Sequence, residues 1–272
     1  MSDTGSYDKE IHRDDQSEME RLAAQATPGW KKESRMLSRL GVTDGMSILE
    51  AGSGPGYVTK QLLASFPNSH VTCLETDPDM LDKAKRLING EDSDRVSFVQ
   101  GSVMDKEVGL AADQFDVAYA RLLFQHLADP VAAAKVVYGL VKPGGRLIVH
   151  DIDDELFGIF EPALAGLTDI IEAFGRIQKE GGGDRHVGRR LWSILETAGF
   201  SELDLEMLVS HSGSTGIEPF VTLLDPDRFQ SFVDQKQLSE RSLSQFRESL
   251  TSFEKAPDAF AMWVSFMVCG QK

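Results

Sequence analysis

Cysteine is scarce in this chain: 272 residues hold two, Cys73 and Cys269. That is too few for a disulfide framework or a thiolate zinc site, and both lie in apolar, strand-like runs where a free thiol behaves as a small buried hydrophobe. Positive charge is short as well. Lys and Arg number 28 against 43 Asp and Glu, a formal net charge of -15. Such a balance argues against a protein that neutralises nucleic-acid phosphates or docks on an anionic bilayer. No apolar run approaches the roughly 20 residues of a membrane span. Met1 to Asp15 is polar and acidic, without the apolar stretch of a secretory leader. These absences predict a cytoplasmic protein with neither nucleic-acid nor membrane partners.

What remains is ordinary for a globular chain, with 41% hydrophobic and 26% charged residues, long enough for one large α/β domain with insertions. Ser17 with Glu20 reads as a capping box opening a first helix, and Thr27-Pro28-Gly29 ends it. A second helix from about Trp30 to Leu40 sets Trp30, Ser34, Leu37 and Leu40 near one face. A regular alternation follows. Apolar runs at Ser47–Ala51, Val71–Glu75, Val96–Gln100, Phe115–Ala120 and Arg146–Asp151 predict buried strands, separated by helical patterns at Tyr57–Phe66, Pro78–Ile88 and Pro130–Val141. Strand–helix alternation implies βαβ units around a parallel sheet covered on both faces. Lys142-Pro143-Gly144-Gly145 reads as a helix stop and turn.

Beyond residue 151 the rhythm changes. Phe160, Leu164, Leu167, Ile171, Phe174 and Ile177 fall at helical spacing until Gly181-Gly182-Gly183. A helix over Val187–Ala198 and a strand near Leu203–Val209 come next. Phe220–Asp234 and Leu243–Phe253 read as two amphipathic helices, and Phe260–Cys269 as a last strand.

The sharpest motif is Glu50-Ala51-Gly52-Ser53-Gly54-Pro55-Gly56, a glycine loop leaving a strand and opening a helix. Glycines there permit positive φ and close ligand approach, and a helix N-terminus offers free N–H groups. A dinucleotide fingerprint needs its third glycine where Tyr57 stands, and a P-loop needs a Lys-Ser/Thr pair that is missing. Glu75 ends the second strand where an acid takes ribose hydroxyls in α/β nucleotide sites. Glu50, flanked by Leu49 and Ala51, can orient the loop or accept from a cationic amine.

The glycine loop is similar to motif I of the class I S-adenosylmethionine-dependent methyltransferases. Leu74-Glu75-Thr76-Asp77-Pro78-Asp79-Met80-Leu81, Phe98-Val99-Gln100-Gly101-Ser102, Phe115-Asp116-Val117 with Leu127-Ala128-Asp129-Pro130, and Leu140-Val141-Lys142-Pro143-Gly144-Gly145 resemble the later motifs in order, across roughly residues 30–150. The flavour is that of the small-molecule branch, such as ubiquinone/menaquinone-biosynthesis and natural-product enzymes of secondary metabolism. The resemblance implies a Rossmann-like seven-stranded sheet, six strands parallel and the last antiparallel and inserted beside the fifth. It implies that Gly52, Ser53, Gly54 and Gly56 meet the methionine part of the cofactor, Glu75 the ribose and Thr76 the adenine. Where the family often has Asp after the third-strand glycine, this chain has Ser102, so Ser102 Oγ and the Val103 N–H are the expected adenine contacts. Arg121 would border the cofactor or form a structural salt bridge. The signature of enzymes that methylate nucleic-acid bases is absent.

Methyl transfer needs alignment first, and a general base only if the acceptor must lose a proton. His126 is the general-base candidate, since imidazole titrates near neutrality. His150 and Asp151 end the fifth strand. Alternation sends them to opposite sides, and Asp151 is taken as the catalytic and substrate-facing group. Asp153 and Asp154 read as caps, and with no second His at ligand spacing no metal is expected. The organisation predicted is an N-terminal helical lid over residues 1–40, with Tyr7, Arg21 and Gln25 reaching the pocket, and a core over 41–272. Helical insertions at 155–185 and 212–257 complete an apolar acceptor pocket or, equally, form a homodimer interface. The expected activity is methyl transfer to O, C or N of a small, largely apolar metabolite. The alternatives are an NAD-dependent oxidoreductase and a non-catalytic cofactor-binding module.

Overall fold

The computed structural model describes residues 15–26 and 29–272. Two helices, α1 (Asp15–Ala26) and α2 (Trp30–Arg39), precede the alternating core of β1 (Ser47–Ala51), α3 (Tyr57–Ser65), β2 (His70–Glu75), α4 (Pro78–Leu87), β3 (Val96–Gln100), β4 (Phe115–Arg121), α5 (Pro130–Leu140) and β5 (Val141–Ile152). The second half adds β6 (Ile159–Glu161), α6 (Leu167–Glu180), α7 (Leu191–Ala198) and β7 (Ser201–His211). It closes with α8 (Ser212–Thr215), α9 (Glu218–Leu223), α10 (Gln230–Asp234), α11 (Glu240–Lys255) and β8 (Phe260–Gln271). Helix starts follow local chemistry. Asp77 and Asp129 cap α4 and α5 by accepting from Asp79 N and Ala132 N, each with Pro at the first turn, and Ser239 caps α11 through Ser242 N.

The sheet runs β3-β2-β1-β4-β5-β8-β6, with β7 on the other edge of β8. Strands β3, β2, β1, β4 and β5 are parallel, and β8 lies antiparallel between β5 and β7. The expected six parallel strands with one reversed are therefore present, and β6 is an eighth, pairing Ile159–Glu161 with the start of β8. Aligned register brings Ala51 beside Ala120 and Arg121 beside His150, so the carboxyl ends of β1, β4 and β5 form one rim. One face of the sheet packs Leu49, Ala118, Leu147 and Val268 under α5 and α7. The other packs Ile48, Val71, Tyr119 and Ile148 under α2, α3 and α4. A third cluster, with Phe160, Ile170, Phe220, Phe232, Phe246 and Phe253, ties β6, α6 and α9–α11 together beyond the rim.

Several boundaries differ from the sequence reading, each for a physical reason. Ser17 lies inside α1, so it does not cap that helix. The Lys142-Pro143-Gly144-Gly145 turn is an irregularity within β5: the register jumps from Phe115↔Val141 to Val117↔Arg146, and the excess chain pairs with the C-terminus through Gly144 N to Lys272 O (3.0 Å) and Lys272 N to Gly145 O (2.9 Å). Phe160 belongs to a strand, because Pro162 lacks the N–H that would carry its helical spacing into α6. Pro226 likewise splits the apolar pattern of 220–234 into α9, a short 3-10 turn and α10.

Candidate active site

Along the carboxyl rim opens a cavity of about 610 Å³ that reaches from the glycine loop to the helices of the third cluster. The loop is clasped to the end of β2: Gly52 N donates to Leu74 O (2.8 Å) and Gly54 N to Glu75 Oε2 (2.8 Å). Gly54 has φ 53°, and a Cβ there would meet no protein atom within 4 Å while standing on the cavity wall. The space a side chain would take is thus ligand space. Ser53 Oγ is buried on the same wall and makes no hydrogen bond beyond a weak approach to the Cys73 thiol. The other Glu75 oxygen, Oε1, accepts from Thr76 N (2.8 Å), Asp77 N (3.0 Å) and Thr76 Oγ1 (3.1 Å). Free acceptor capacity therefore remains mainly on Oε2, toward Gly54.

Glu50 lies deeper on that wall, 3% exposed, and accepts from Thr59 Oγ1 at 2.5 Å. Burial pushes its carboxyl up to about 8, against the Thr59 hydrogen bond and Arg121, with the Glu75 and Glu33 charges adding to the rise. Beside it stands a network that spans four elements. Glu33 of α2, 2% exposed, accepts from Tyr119 Oη (2.6 Å) and from Arg121 Nε at both oxygens (3.0 and 3.1 Å). Burial acts to raise the Glu33 carboxyl, but Arg121, His150 and Tyr119 together hold it down at about 2. His150 Nδ1 is 3.2 Å from Tyr119 Oη and 3.5 Å from Glu33 Oε2, and His150 Nε2 is 2.7 Å from Ser265 Oγ of β8. Both His150 and Ser265 line the cavity.

The far wall is apolar: Phe157, Ile170, Phe174, Phe220, Leu223 and Trp263 come from the two inserted segments and β8. Its cation Arg185 is neutralised, with Nη2 donating to Asp154 Oδ1 (2.8 Å) and the guanidinium 4.2 Å above the Phe174 ring. On the near side, α1 presents Arg21, Leu22 and Gln25 to the same space.

The structure gathers most of the residues singled out from the sequence. Glu50, Gly52, Ser53, Gly54, Glu75, Thr76, Ser102, Val103, Arg121 and His126 all line this cavity. Ser102 Oγ is already engaged by Met104 N (3.0 Å). Arg121 is the salt bridge of the two readings offered for it: besides Glu33 it holds α1, Nη2 donating to Gln25 O at 2.9 Å. Two expectations are corrected. Gly56 does not face the cavity; at φ 85° it starts α3 against α4, where a Cβ would come within 2.9 Å of Ala84 Cβ. Asp151 is fully buried on the opposite side of β5 from His150, as pleating requires, and accepts from Gln125 N (3.1 Å) and Ile152 N (2.9 Å). Burial raises Asp151 to about 7 against those N–H groups, and it is not among the cavity residues. Asp153 and Asp154 pair with Arg189 and Arg185 as well as ending β5. Tyr7 lies outside the described residues. Sequence reasoning missed Glu33, Tyr119 and Ser265. The available signal was helical spacing: Trp30, Glu33 and Leu37 form the buried stripe of α2, with a carboxylate in it.

Comparison with known proteins agrees with this geometry. Residues 49–147 match the family model described as a methyltransferase domain. The chain is 27% identical over 221 residues to trans-aconitate 2-methyltransferase of Methylobacterium radiotolerans, covering 74% of this chain and 80% of that one. It is 28% identical over 203 residues to malonyl-[acyl-carrier protein] O-methyltransferase of a Paenibacillus species, covering 74% and 69%. Among solved structures, an S-adenosylmethionine-dependent methyltransferase of Thermotoga maritima superposes with a TM-score of 0.56 at 16% identity, covering 97% of this chain and 100% of that one. Phosphoethanolamine N-methyltransferase 2 of Haemonchus contortus superposes with a TM-score of 0.57 at 19% identity, over 90% of this chain and 53% of the nematode chain.

The wall fits S-adenosylmethionine. The open space at Gly54, the buried Ser53 hydroxyl and the spare capacity of Glu75 Oε2 stand where a nucleoside with a methionine tail needs them. Glu75→Ala is expected to weaken cofactor binding by roughly 1.5–3 kcal/mol, the size of a charge-assisted hydrogen bond. Calorimetry with S-adenosylhomocysteine checks this, and an unchanged dissociation constant would remove Glu75 from the ribose.

Proposed function

The chain belongs to the class I S-adenosylmethionine-dependent methyltransferases, and on that premise we propose that it methylates O, N or C of a small, largely apolar and uncharged metabolite. The observation that carries this reading is the composition of the single cavity: a nucleoside-binding rim at one end, and at the other a wall of Phe, Ile, Leu and Trp whose one deeply placed cation is already paired. Apolar walls with a few polar groups suit a hydrophobic acceptor oriented by hydrogen bonds. Bound S-adenosylmethionine supplies an activated methyl group on a sulfonium. The protein's part is then to hold the acceptor in line and keep water out.

Residues 1–40 serve as a lid in this reading, Arg21, Leu22 and Gln25 of α1 facing the cavity, and residues 155–185 and 212–257 select the acceptor. His126, on the wall in the short turn after β4, orients the acceptor. The two curated relatives are named for acceptors that bear carboxylates. Here Arg185 is neutralised by Asp154, which supports an uncharged acceptor instead. No helix among the described residues is long and apolar enough to cross a membrane. Two buried free thiols and the acidic charge support work in the reducing cytoplasm, away from nucleic acid.

The test is transfer from methyl-labelled S-adenosylmethionine to a panel of phenols, hydroxyquinones, hydrophobic amines and dicarboxylates. Labelled product is expected from the uncharged members, with KM rising more than kcat falls in His126→Ala. Methylation confined to dicarboxylates such as trans-aconitate would overturn the acceptor class. A wild-type KM for that acceptor in His126→Ala would remove that residue from it.

A further inference from the structure

We propose that Ser265 and His150, backed by Glu33 and Tyr119, form a proton relay opening into the cavity, and that the acceptor therefore arrives as a neutral O–H or N–H compound and is deprotonated as it is methylated. The inference rests on the acceptor reading above and deepens it, because a carboxylate acceptor would have no proton to give.

The hydrogen-bond pattern determines which imidazole nitrogen carries the proton. Tyr119 Oη donates to Glu33 Oε1 at 2.6 Å, and Glu33 is held ionised, so it can only accept. Both oxygens near His150 Nδ1, Tyr119 Oη at 3.2 Å and Glu33 Oε2 at 3.5 Å, are thus acceptors from the ring's point of view. A neutral His150 then keeps its proton on Nδ1 and leaves Nε2 bare. At Nε2 the only group that can donate across the 2.7 Å contact is the Ser265 hydroxyl. This is the order a base relay requires: a hydroxyl on the cavity wall, an imidazole that takes its proton, and a buried carboxylate that stabilises the imidazolium. The charged and titratable groups facing His150 are Glu33 from α2, Tyr119 and, through Glu33, Arg121 from β4; β8 contributes only the Ser265 hydroxyl. Glu33 balances Arg121, so the imidazole faces no net positive charge.

The placement suits transfer. His150 pairs in register with Arg121, one residue past Ala120, which pairs with Ala51 at the mouth of the glycine loop. Two strand spacings, about 10 Å, separate the relay from the methionine end of the rim, room for one acceptor group between them. In the step proposed, the acceptor's O–H or N–H bond breaks as its bond to the methyl carbon forms. The acceptor proton goes to Ser265 Oγ, the Ser265 proton goes to His150 Nε2, and the methyl–sulfur electron pair stays with sulfur. The imidazolium then loses the Nε2 proton to water through Ser265. Ser265 touches the acceptor; Glu33 and Tyr119 are positioning residues.

The first test needs no acceptor. Two-bond proton–nitrogen correlation spectra of protein labelled with nitrogen-15 histidine, loaded with S-adenosylhomocysteine, report the His150 tautomer, assigned by the signal lost in His150→Gln. The proposal expects a neutral ring at pH 8 with the proton on Nδ1, and a shift of the Nε2 resonance in Ser265→Ala. A proton on Nε2, or a ring that stays cationic at pH 8, would overturn the relay whatever the enzyme methylates. The second test uses the phenol or amine that the labelled-methyl panel identifies. Ser265→Ala and His150→Gln are expected to lower kcat on it at least 100-fold, the scale of general-base catalysis. KM for S-adenosylmethionine and the melting temperature of Ser265→Ala should stay unchanged, and the acid limb of the kcat profile should vanish in His150→Gln. Variants that keep wild-type kcat and pH profile would refute the relay. A relay with the expected tautomer in an enzyme that methylates only carboxylates would instead refute the acceptor reading.

Discussion

Replacing Glu33 by alanine is expected to destabilise the protein by about 3–5 kcal/mol at pH 7, the cost of removing one partner from a buried ion pair. Glu33 lies 2% exposed under α2 and is the counter-charge of Arg121, whose side chain is 13% exposed. Without the carboxylate, Arg121 keeps only the Gln25 carbonyl of the contacts described, and Tyr119 loses its acceptor. The shifted ionisation gives a similar size independently. Burial opposes the charge, yet the neighbouring Arg121, His150 and Tyr119 lower the carboxyl from 4.5 to about 2. That is roughly 3 kcal/mol of preference for the ionised form. Because the folded value is depressed, this stability is complete above pH 4.5 and is lost as pH falls through 2. Urea unfolding at pH 7 should therefore separate Glu33→Ala from the wild type, and the gap should close in strong acid. Glu33→Gln, which keeps the shape and loses the charge, should fall between, at about 2 kcal/mol. A gap below 1 kcal/mol for Glu33→Ala would mean that Arg121 is not held by this pair. The effect reaches the cavity too, because the same guanidinium fixes the last turn of α1.

This residue also shows where sequence reading ends. Glu33 sits in Lys31-Lys32-Glu33-Ser34-Arg35, which reads as a solvated helix face. Only the packing of α2 onto β4 and β5 supplies Tyr119, Arg121 and His150, from positions 86, 88 and 117 residues later in the chain, and no local pattern encodes that meeting. The glycine loop and Glu75 were legible because their geometry is made by adjacent segments: a strand end, a turn and a helix start, with the acid on the next strand. The pleat separated His150 from Asp151 correctly in principle, but alternation alone does not say which side holds the cavity; the choice of Asp151 took the wrong face. Gly56 was misassigned for a related reason. A glycine in a loop can be required by a neighbouring helix as readily as by a ligand, and here Ala84 of α4 demands it. The strand β6 was invisible because three residues carry too little periodicity to override the helical spacing around Phe160.

Cofactor binding is expected to release about one proton at pH 7, and Glu50→Gln to abolish that release. Glu50 is buried beside the glycine loop, and burial, with the Glu75 and Glu33 charges adding, raises its carboxyl from 4.5 to about 8. At pH 7 it is therefore mostly protonated in the cofactor-free protein. A cationic amine or sulfonium brought to that wall favours the carboxylate, so the proton must leave as the ligand arrives. Affinity for S-adenosylmethionine should then rise with pH and level off near 8, by as much as tenfold per unit below that value. Calorimetry at pH 7 in two buffers of different ionisation enthalpy counts the proton directly. Stability without cofactor should move the other way. Between pH 4.5 and 8 the folded state retains a proton that the unfolded chain has released, so stability falls as pH rises through this window, by about 4–5 kcal/mol. Asp151, raised by burial from 3.8 to about 7, adds to the fall over its own lower range. Glutamine at position 50 carries no charge to desolvate and can still accept from Thr59 Oγ1, so Glu50→Gln should be more stable than the wild type at pH 9 while binding the cofactor more weakly there. Equal proton counts in the two proteins, or a variant no more stable at pH 9, would show that Glu50 is already ionised in the cofactor-free site.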